Sequence, residues 1–116
     1  MRTDKKTITV ITIYVAGPFS TGDTLANIDK AIKAGNELLD AGFFPFVPHT
    51  TFLMHMQKPR EYRFWMNYCM VWLDECDAVY RLQGESPGAD EEVAAAKGLM
   101  IPVFHTIDAI KAWFKV

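Results

Sequence analysis

The 116-residue sequence predicts one three-layer α/β domain, residues 1–116, with a mainly parallel sheet of four or five strands and helices on both faces. Three observations predict it. Short β-branched or apolar runs alternate along the chain with longer segments of helical period, the pattern of parallel strands joined by crossover helices. The first such run, "TITVITIYVAG" (7–17), is rich in Ile, Val and Thr and reads as a largely buried strand. The length suffices for one hydrophobic core and is too short for two.

The remaining elements follow in order. "DTLANIDKAIKAGNELLDAG" (23–42) places Leu25, Ile28, Ile32, Leu38 and Leu39 at helical spacing, with Asp23 as its N-cap or a first-turn acid and Gly42 as its stop. "FFPFVPH" (43–49) is a short apolar strand closed by Pro48. "TTFLMHMQKP" has no clean period and reads as a loop or lid. "REYRFWMNYCMVWLDEC" (60–76) sets Trp65, Tyr68 or Cys69, and Trp72 on one helical stripe. "DAVYRL" (77–82) is a strand, "QGESPG" a turn-rich loop, and a helix runs from about 88 to 98. "MIPVF" (100–104) is the last strand and "TIDAIKAWFKV" the last helix.

Composition excludes several function classes. The net charge of −2 provides no basic footprint for nucleic acid. No stretch approaches the length of a membrane span. Two cysteines, Cys69 and Cys76, make neither a disulfide framework nor a zinc site, and His55 and His105 lack ligand spacing; no metal or cofactor is expected. The charged start and the apolar run after it resemble a signal peptide, but the run is β-branched and alternating and no small-residue cleavage site follows, so a cytoplasmic protein with reduced thiols is expected.

In a doubly wound sheet ligands bind beyond the carboxyl ends of the strands, so three loops matter: 17–23, 48–60 and 83–89. "GPFSTGDT" (17–24) carries Gly17 and Gly22 at the spacing of a triphosphate-binding loop, but Asp23 replaces the lysine and would repel a triphosphate. The loop either lines a small-molecule site, through the Gly17 N–H and the Ser20 and Thr21 hydroxyls, or is simply a strand-to-helix turn. The third loop leads into three consecutive acids, Asp90, Glu91 and Glu92. With about 100° per residue, Ala89, Val93, Ala96 and Met100 share one apolar stripe; Glu92 lies roughly 50° from its middle, while Asp90 and Glu91 turn toward solvent. Asp90 and Glu91 therefore suit the positive end of the helix dipole. Glu92 is either a half-buried acid satisfied by the helix end or an acid facing the crevice. Ser86 and Pro87 form an N-cap and first-position pair, whose free N–H groups can hold an anion.

Taken in order, "IYVAGPFS" with Tyr14, "GFFPFVPH" with His49, "CDAVYRLQGESPGADEEVAAA" and "GLMIPVF" resemble the nucleoside 2-deoxyribosyltransferase-like superfamily, most closely a small branch with the pattern Y-x-A-G-P, P-H, C-D-A-V and S-x-G-A-x-x-E, close to the nucleoside 5′-monophosphate N-glycosidases. The resemblance implies a flavodoxin-like, Rossmann-like three-layer sandwich and cleavage or exchange of an N-glycosidic bond. It places the catalytic glutamate at Glu92, the tyrosine that holds it at Tyr14, and a phosphate-contacting serine at Ser86, which favours a (deoxy)nucleoside 5′-monophosphate. The expected substrate-binding set is Gly17, Pro18, Phe19, Ser20, His49, Ser86 and Gly88. The partner expected is a small nucleotide or nucleoside, with no nucleic acid or membrane, and the chain is expected to form a homo-oligomer, a dimer or higher. One departure stands out: the family's further aspartate before the "DAV" strand has no counterpart in "MNYCMVWL", where Asn67 and Cys69 stand; Asp77 is taken as structural. That departure keeps a second reading open, a nucleotide-binding or sensing domain without chemistry. His49 is expected to touch substrate or to be a loop histidine. Trp65 and Trp72 can stack on a base or pack in a core or interface, and Arg60 and Arg63 can bind phosphate or sit solvated at a helix start.

Overall fold

The structure, a computed structural model, describes residues 10–116. Strand β1 spans Thr12–Ala16; the expected strand residues 7–9 lie outside the described residues. β1 is flanked on both sides, in the order β2-β1-β3-β4, and every pairing is parallel. A central strand with helices on both faces must be apolar at every position, and β1 is buried from Ile13 to Ala16. Its two-residue period then sorts the core into two halves. Ile13 and Val15 pack with Ala31, Ala34 and Leu38 of α1 (Thr24–Asp40) and Ile110 of α5 (Ile107–Phe114). Tyr14 and Ala16 pack with Cys69 and Leu73 of α3 (Tyr62–Leu73) and with Ala89 and Ala96 of α4 (Pro87–Gly98). The three-layer α/β architecture expected from the sequence is the one observed, with four strands.

The chain winds β1–α1–β2 (Phe44–Phe46) to one side, returns across β1, and winds β3 (Ala78–Arg81)–α4–β4 (Val103–Phe104) to the other. The carboxyl ends of β1 and β3 are thus a topological switch point, where the loops diverge and leave a crevice. At the other end of these strands Asp77 accepts from the Thr12 N–H at 2.9 Å and from its hydroxyl at 3.2 Å, a structural clip far from the crevice. Among the described residues no helix is long and apolar enough to cross a membrane.

Four local expectations are corrected. The buried face of α1 is Ala31, Ala34, Gly35 and Leu38, and Leu25, Ile32 and Leu39 face outward. Small residues let the helix lie close to the sheet, so the largest side chains do not mark its inner face. The segment read as a lid forms helix α2 (Thr51–Gln57), entered through a 3₁₀ turn at Pro48–Thr50. It buries only Thr51, whose hydroxyl donates to the Pro48 carbonyl at 2.8 Å, so no apolar stripe announces it. α3 buries Met66, Cys69 and Leu73, with Trp72 turned half outward onto Phe46. Met100 is not on the α4 stripe: it lies beyond the helix, exposed, with φ of 62°, and lets the Ile101 N–H reach the Ala96 carbonyl at 2.8 Å.

Leu38→Ala is expected to cost ~2–5 kcal/mol of stability in urea unfolding, since it empties a filled core site. Leu39→Ala, at the neighbouring exposed position, is expected to change it by no more than about 0.5 kcal/mol. Equal losses would refute the face assigned to α1.

Candidate active site

A cavity of about 590 Å³ opens at the carboxyl ends of β1, β2 and β3, within the size range of small-molecule sites. The β1–α1 loop supplies Gly17, Phe19, Ser20 and Thr21. Pro48, His49, Thr51, Phe52 and His55 come from the turn after β2 and from α2. Arg60 and Tyr62, Trp65, Met66 and Cys69 of α3 form a long wall, and Ser86, Pro87, Gly88, Ala89 and Glu92 close the cavity at the start of α4.

The three acids of α4 diverge as their angular positions require. Asp90 is exposed and meets Arg81 at 3.1 Å. Glu91 takes a two-pronged contact from Arg63, at 2.6 and 3.3 Å, which ties the start of α3 to α4 and lowers the Glu91 carboxyl below its usual range. Glu92 is 6% exposed and points inward. Its Oε2 accepts a hydrogen bond from the Tyr14 hydroxyl, joining α4 to the central strand. The crevice-facing alternative for Glu92 is the one observed. Burial pushes its pKa up, Tyr14 donation opposes the rise, and the net value is about 7. Tyr14 is fully enclosed behind Glu92 and does not border the cavity; burial, then the charge of Glu92, holds its phenol far above the ordinary range. Cys69 borders the cavity, and burial followed by the Glu92 charge pushes its thiol up to about 12. It is an uncharged group at neutral pH.

The other expected site residues gather at the same place. Ser86 is buried, and its Oγ accepts from the Ala89 N–H at 3.0 Å, the N-cap bond its sequence predicts. Gly88 sits against Tyr62: an added Cβ would lie 2.9 Å from the Tyr62 hydroxyl, so the tyrosine can lie this close to α4 only because position 88 has no side chain. His49 is buried in the wall, its Nε2–H donating to the Pro18 carbonyl at 2.8 Å, and burial lowers its pKa. Pro18 is the exception; it does not border the cavity and serves through that carbonyl. Asp23 caps α1, accepting from the Ala26 N–H at 3.1 Å. Arg81 braces the loop that carries Ser86, donating to the Leu82 carbonyl and to the Gly84 carbonyl at 2.9 Å. Gly84 has φ of +117°, and a Cβ there would come within 2.8 Å of Pro18 Cγ, so the first and third loops touch through a glycine.

His55, which has no ligand spacing in the sequence, and Arg60, expected either to bind phosphate or to sit solvated at a helix start, both border the cavity. No local signal identifies His55, because the helix that carries it has no apolar period. Among the described residues no group of three or more His, Cys, Asp or Glu could hold a metal ion.

Fold and site together define a doubly wound α/β protein with a small-molecule cavity at the switch point and one buried acid in its wall. Residues 11–106 match the family described as "Domain of unknown function (DUF7768)", and the chain belongs to it. No curated protein matches the chain. Among solved structures it is similar to a 2-deoxyribosyltransferase from the psychrotolerant bacterium Bacillus psychrosaccharolyticus, with 22% identity, 79% of this chain and 69% of that chain covered, and a TM-score of 0.59. That likeness establishes the shared fold.

Because Glu92 has a pKa raised from an unfolded value near 4.5 to about 7, its contribution favours folding below pH 4.5 and is lost as pH rises through 7. Glu92→Gln keeps an acceptor for Tyr14 and removes the titration. In urea unfolding it should match or fall below the wild type at pH 4.5 and gain on it by about 3 kcal/mol at pH 8. A stability difference independent of pH would show that Glu92 ionises normally.

Proposed function

We propose that the protein cleaves or exchanges the N-glycosidic bond of a (deoxy)nucleoside 5′-monophosphate, with Glu92 as nucleophile. The observation that carries this reading is a single buried carboxylate, held by the Tyr14 hydroxyl, bordering a cavity beside the start of a helix. The Glu92 carboxylate attacks the anomeric carbon while the bond to the base breaks, and the base departs with the electron pair and takes up a proton. The product is a glycosyl ester. Water then attacks the same carbon, releasing the sugar phosphate and regenerating the carboxylate; a second base in place of water gives exchange. An anion beside the anomeric carbon also stabilises the oxocarbenium-like transition state. Tyr14 orients the carboxylate and keeps a larger share of it ionised. The phosphate belongs at the start of α4, where the Gly88 N–H has no acceptor within the helix and the Ser86 hydroxyl, which uses only a lone pair in its capping bond, can donate.

The sequence motifs shared with the deoxyribosyltransferase-like enzymes and the common fold support this assignment. A second reading, nucleotide binding without turnover, is favoured by one fact: among the described residues Glu92 is the only acid bordering the cavity, so no other carboxyl group stands ready to protonate the leaving base. Self-association is supported by the apolar side chains that α2 and α3 leave exposed, among them Leu53, Met56, Phe64, Val71 and Trp72.

Incubation with the common nucleoside 5′-monophosphates should release free base, read by chromatography, and Glu92→Ala should lower the rate by roughly 10³-fold or more. Tight binding without release by the wild type would favour the second reading. The rate should rise with pH through about 7 as Glu92 ionises. Tyr14→Phe, which removes the bond that lowers this pKa, should move the rising limb to higher pH. A rate that falls through that range would make Glu92 an acid instead of a nucleophile.

A further inference from the structure

The donors at the start of α4 are few. Pro87 has no N–H, the Ala89 N–H is taken by Ser86 Oγ at 3.0 Å, and the Asp90 N–H by the Ser86 carbonyl at 2.9 Å. That leaves the Gly88 N–H and the proton of the Ser86 hydroxyl. Ser86 is 5% exposed and borders the cavity, and among the described residues no acceptor meets its proton. A phosphate monoester carries three strong acceptor oxygens. Two donors from one helix turn leave them under-satisfied, so a further donor has to come from another element.

The first residue of α3 supplies one. Tyr62 borders the cavity, and a Cβ added at Gly88 would lie 2.9 Å from its hydroxyl. With one carbon–carbon bond of about 1.5 Å added, the hydroxyl is no more than about 4.4 Å from the Gly88 Cα, so the two stand side by side on the cavity wall. The ring is braced. The Arg63 guanidinium lies over it at 5.8 Å and is itself bonded to Glu91 of α4 at 2.6 and 3.3 Å. Among the described residues the Tyr62 hydroxyl has no hydrogen-bond partner. Burial, then the charge of Glu91, raises its phenol above the ordinary range, so at neutral pH it is protonated and able to donate. Among the described residues Arg60, two positions before Tyr62, is the only Lys or Arg bordering the cavity and makes no ion pair, so uncompensated positive charge lies at the same end of α3.

We propose that Tyr62 is a ligand of the 5′-phosphate: its hydroxyl joins the Ser86 hydroxyl and the Gly88 N–H in a three-donor cradle, and through it the cavity selects a nucleoside 5′-monophosphate over the free nucleoside. A phosphate at this place needs donors, and all three groups donate. Bonds to an anion are the stronger kind of hydrogen bond. A neutral phenol makes such a bond without bringing in a cation that would pair with Glu92, so the carboxylate beside the phosphate stays available. Glycine at position 88 belongs to the same device, because a side chain there would take the space of the Tyr62 hydroxyl. The assignment rests on the nucleotide reading of the Glu92 site and deepens it by naming the group on α3 that recognises the phosphate.

The test measures binding by calorimetry to the Glu92→Gln protein, which keeps the cavity and lacks the nucleophile. The ligands are the common ribonucleoside and deoxyribonucleoside 5′-monophosphates and the matching nucleosides. Any base that binds serves, because the readout is the ratio of nucleoside to monophosphate dissociation constants for one base. That ratio should be roughly tenfold or more. Tyr62→Phe, which removes one oxygen from an exposed side chain and keeps the ring, should lower it about five- to tenfold by weakening the monophosphate alone. Gly88→Ala should lower it too, and the double variant should lose less than the product of the two single losses, since both disturb one cradle. A monophosphate preference that Tyr62→Phe leaves unchanged overturns the assignment and leaves the Glu92 reading intact. Equal weakening of nucleoside and monophosphate would set Tyr62 against the sugar or base and also overturns it. Equal affinity for nucleosides and monophosphates before any change at Tyr62 removes the phosphate site, and this assignment with it. Failure of every nucleotide and nucleoside to bind overturns the nucleotide reading itself.

Discussion

The hydrogen bond from the Tyr14 hydroxyl to Glu92 is the contact on which the site depends. It joins the central strand to the helix after β3, across most of the chain's length. Both partners are out of water, so neither can be exchanged for a solvent bond without cost. A carboxylate this deep would otherwise be neutral; the phenol donates to it, and its proton affinity settles near neutrality. The same burial keeps Tyr14 and Cys69 protonated, so Glu92 is the group at this spot whose charge changes in the neutral range.

The cavity follows from the winding of the sheet. β1 sends its connection to one side and β3 to the other, so their carboxyl ends have no common cover. The gap is held open by braces instead of by packing. Arg81 fixes the loop before α4, Arg63 grips Glu91 and ties α3 to α4, and the His49 ring holds the Pro18 carbonyl. Each brace is a charged or ring donor bonded to an oxygen, a fixed geometry that leaves the interior free. Two glycines set the fit: Gly84 lets the first and third loops touch, and Gly88 admits Tyr62 beside the helix start.

Two parts of the cavity wall differ in character. The α4 part offers hydroxyl and backbone donors next to a carboxylate. The α2–α3 part offers an indole, an imidazole and a guanidinium held over aromatic rings. The rest of the wall is largely apolar, so a ligand would be oriented by its polar groups and desolvated elsewhere.

Much of this was readable in the sequence wherever a single local rule governs a residue. Alternation of β-branched runs with helical segments determined the α/β class, because a parallel sheet needs both. The Ser86–Pro87 and Asp23 caps were legible because an orphaned helix N–H needs an acceptor three residues earlier. The inward turn of Glu92 followed from the angle between it and Ala89 and Ala96, although the pattern alone left open what it would meet. Tertiary structure decided the rest. Which face of α1 is buried depended on how closely small residues let it approach the sheet, and size alone misled. α2 left no periodic signal because only its first turn is covered, and so the place of His55 on the cavity wall stayed hidden with it. Local periodicity records which residues leave water. It does not record which polar groups, far apart in the chain, are brought to face one cavity, because that is set by the order of the strands and the lengths of the connections between them.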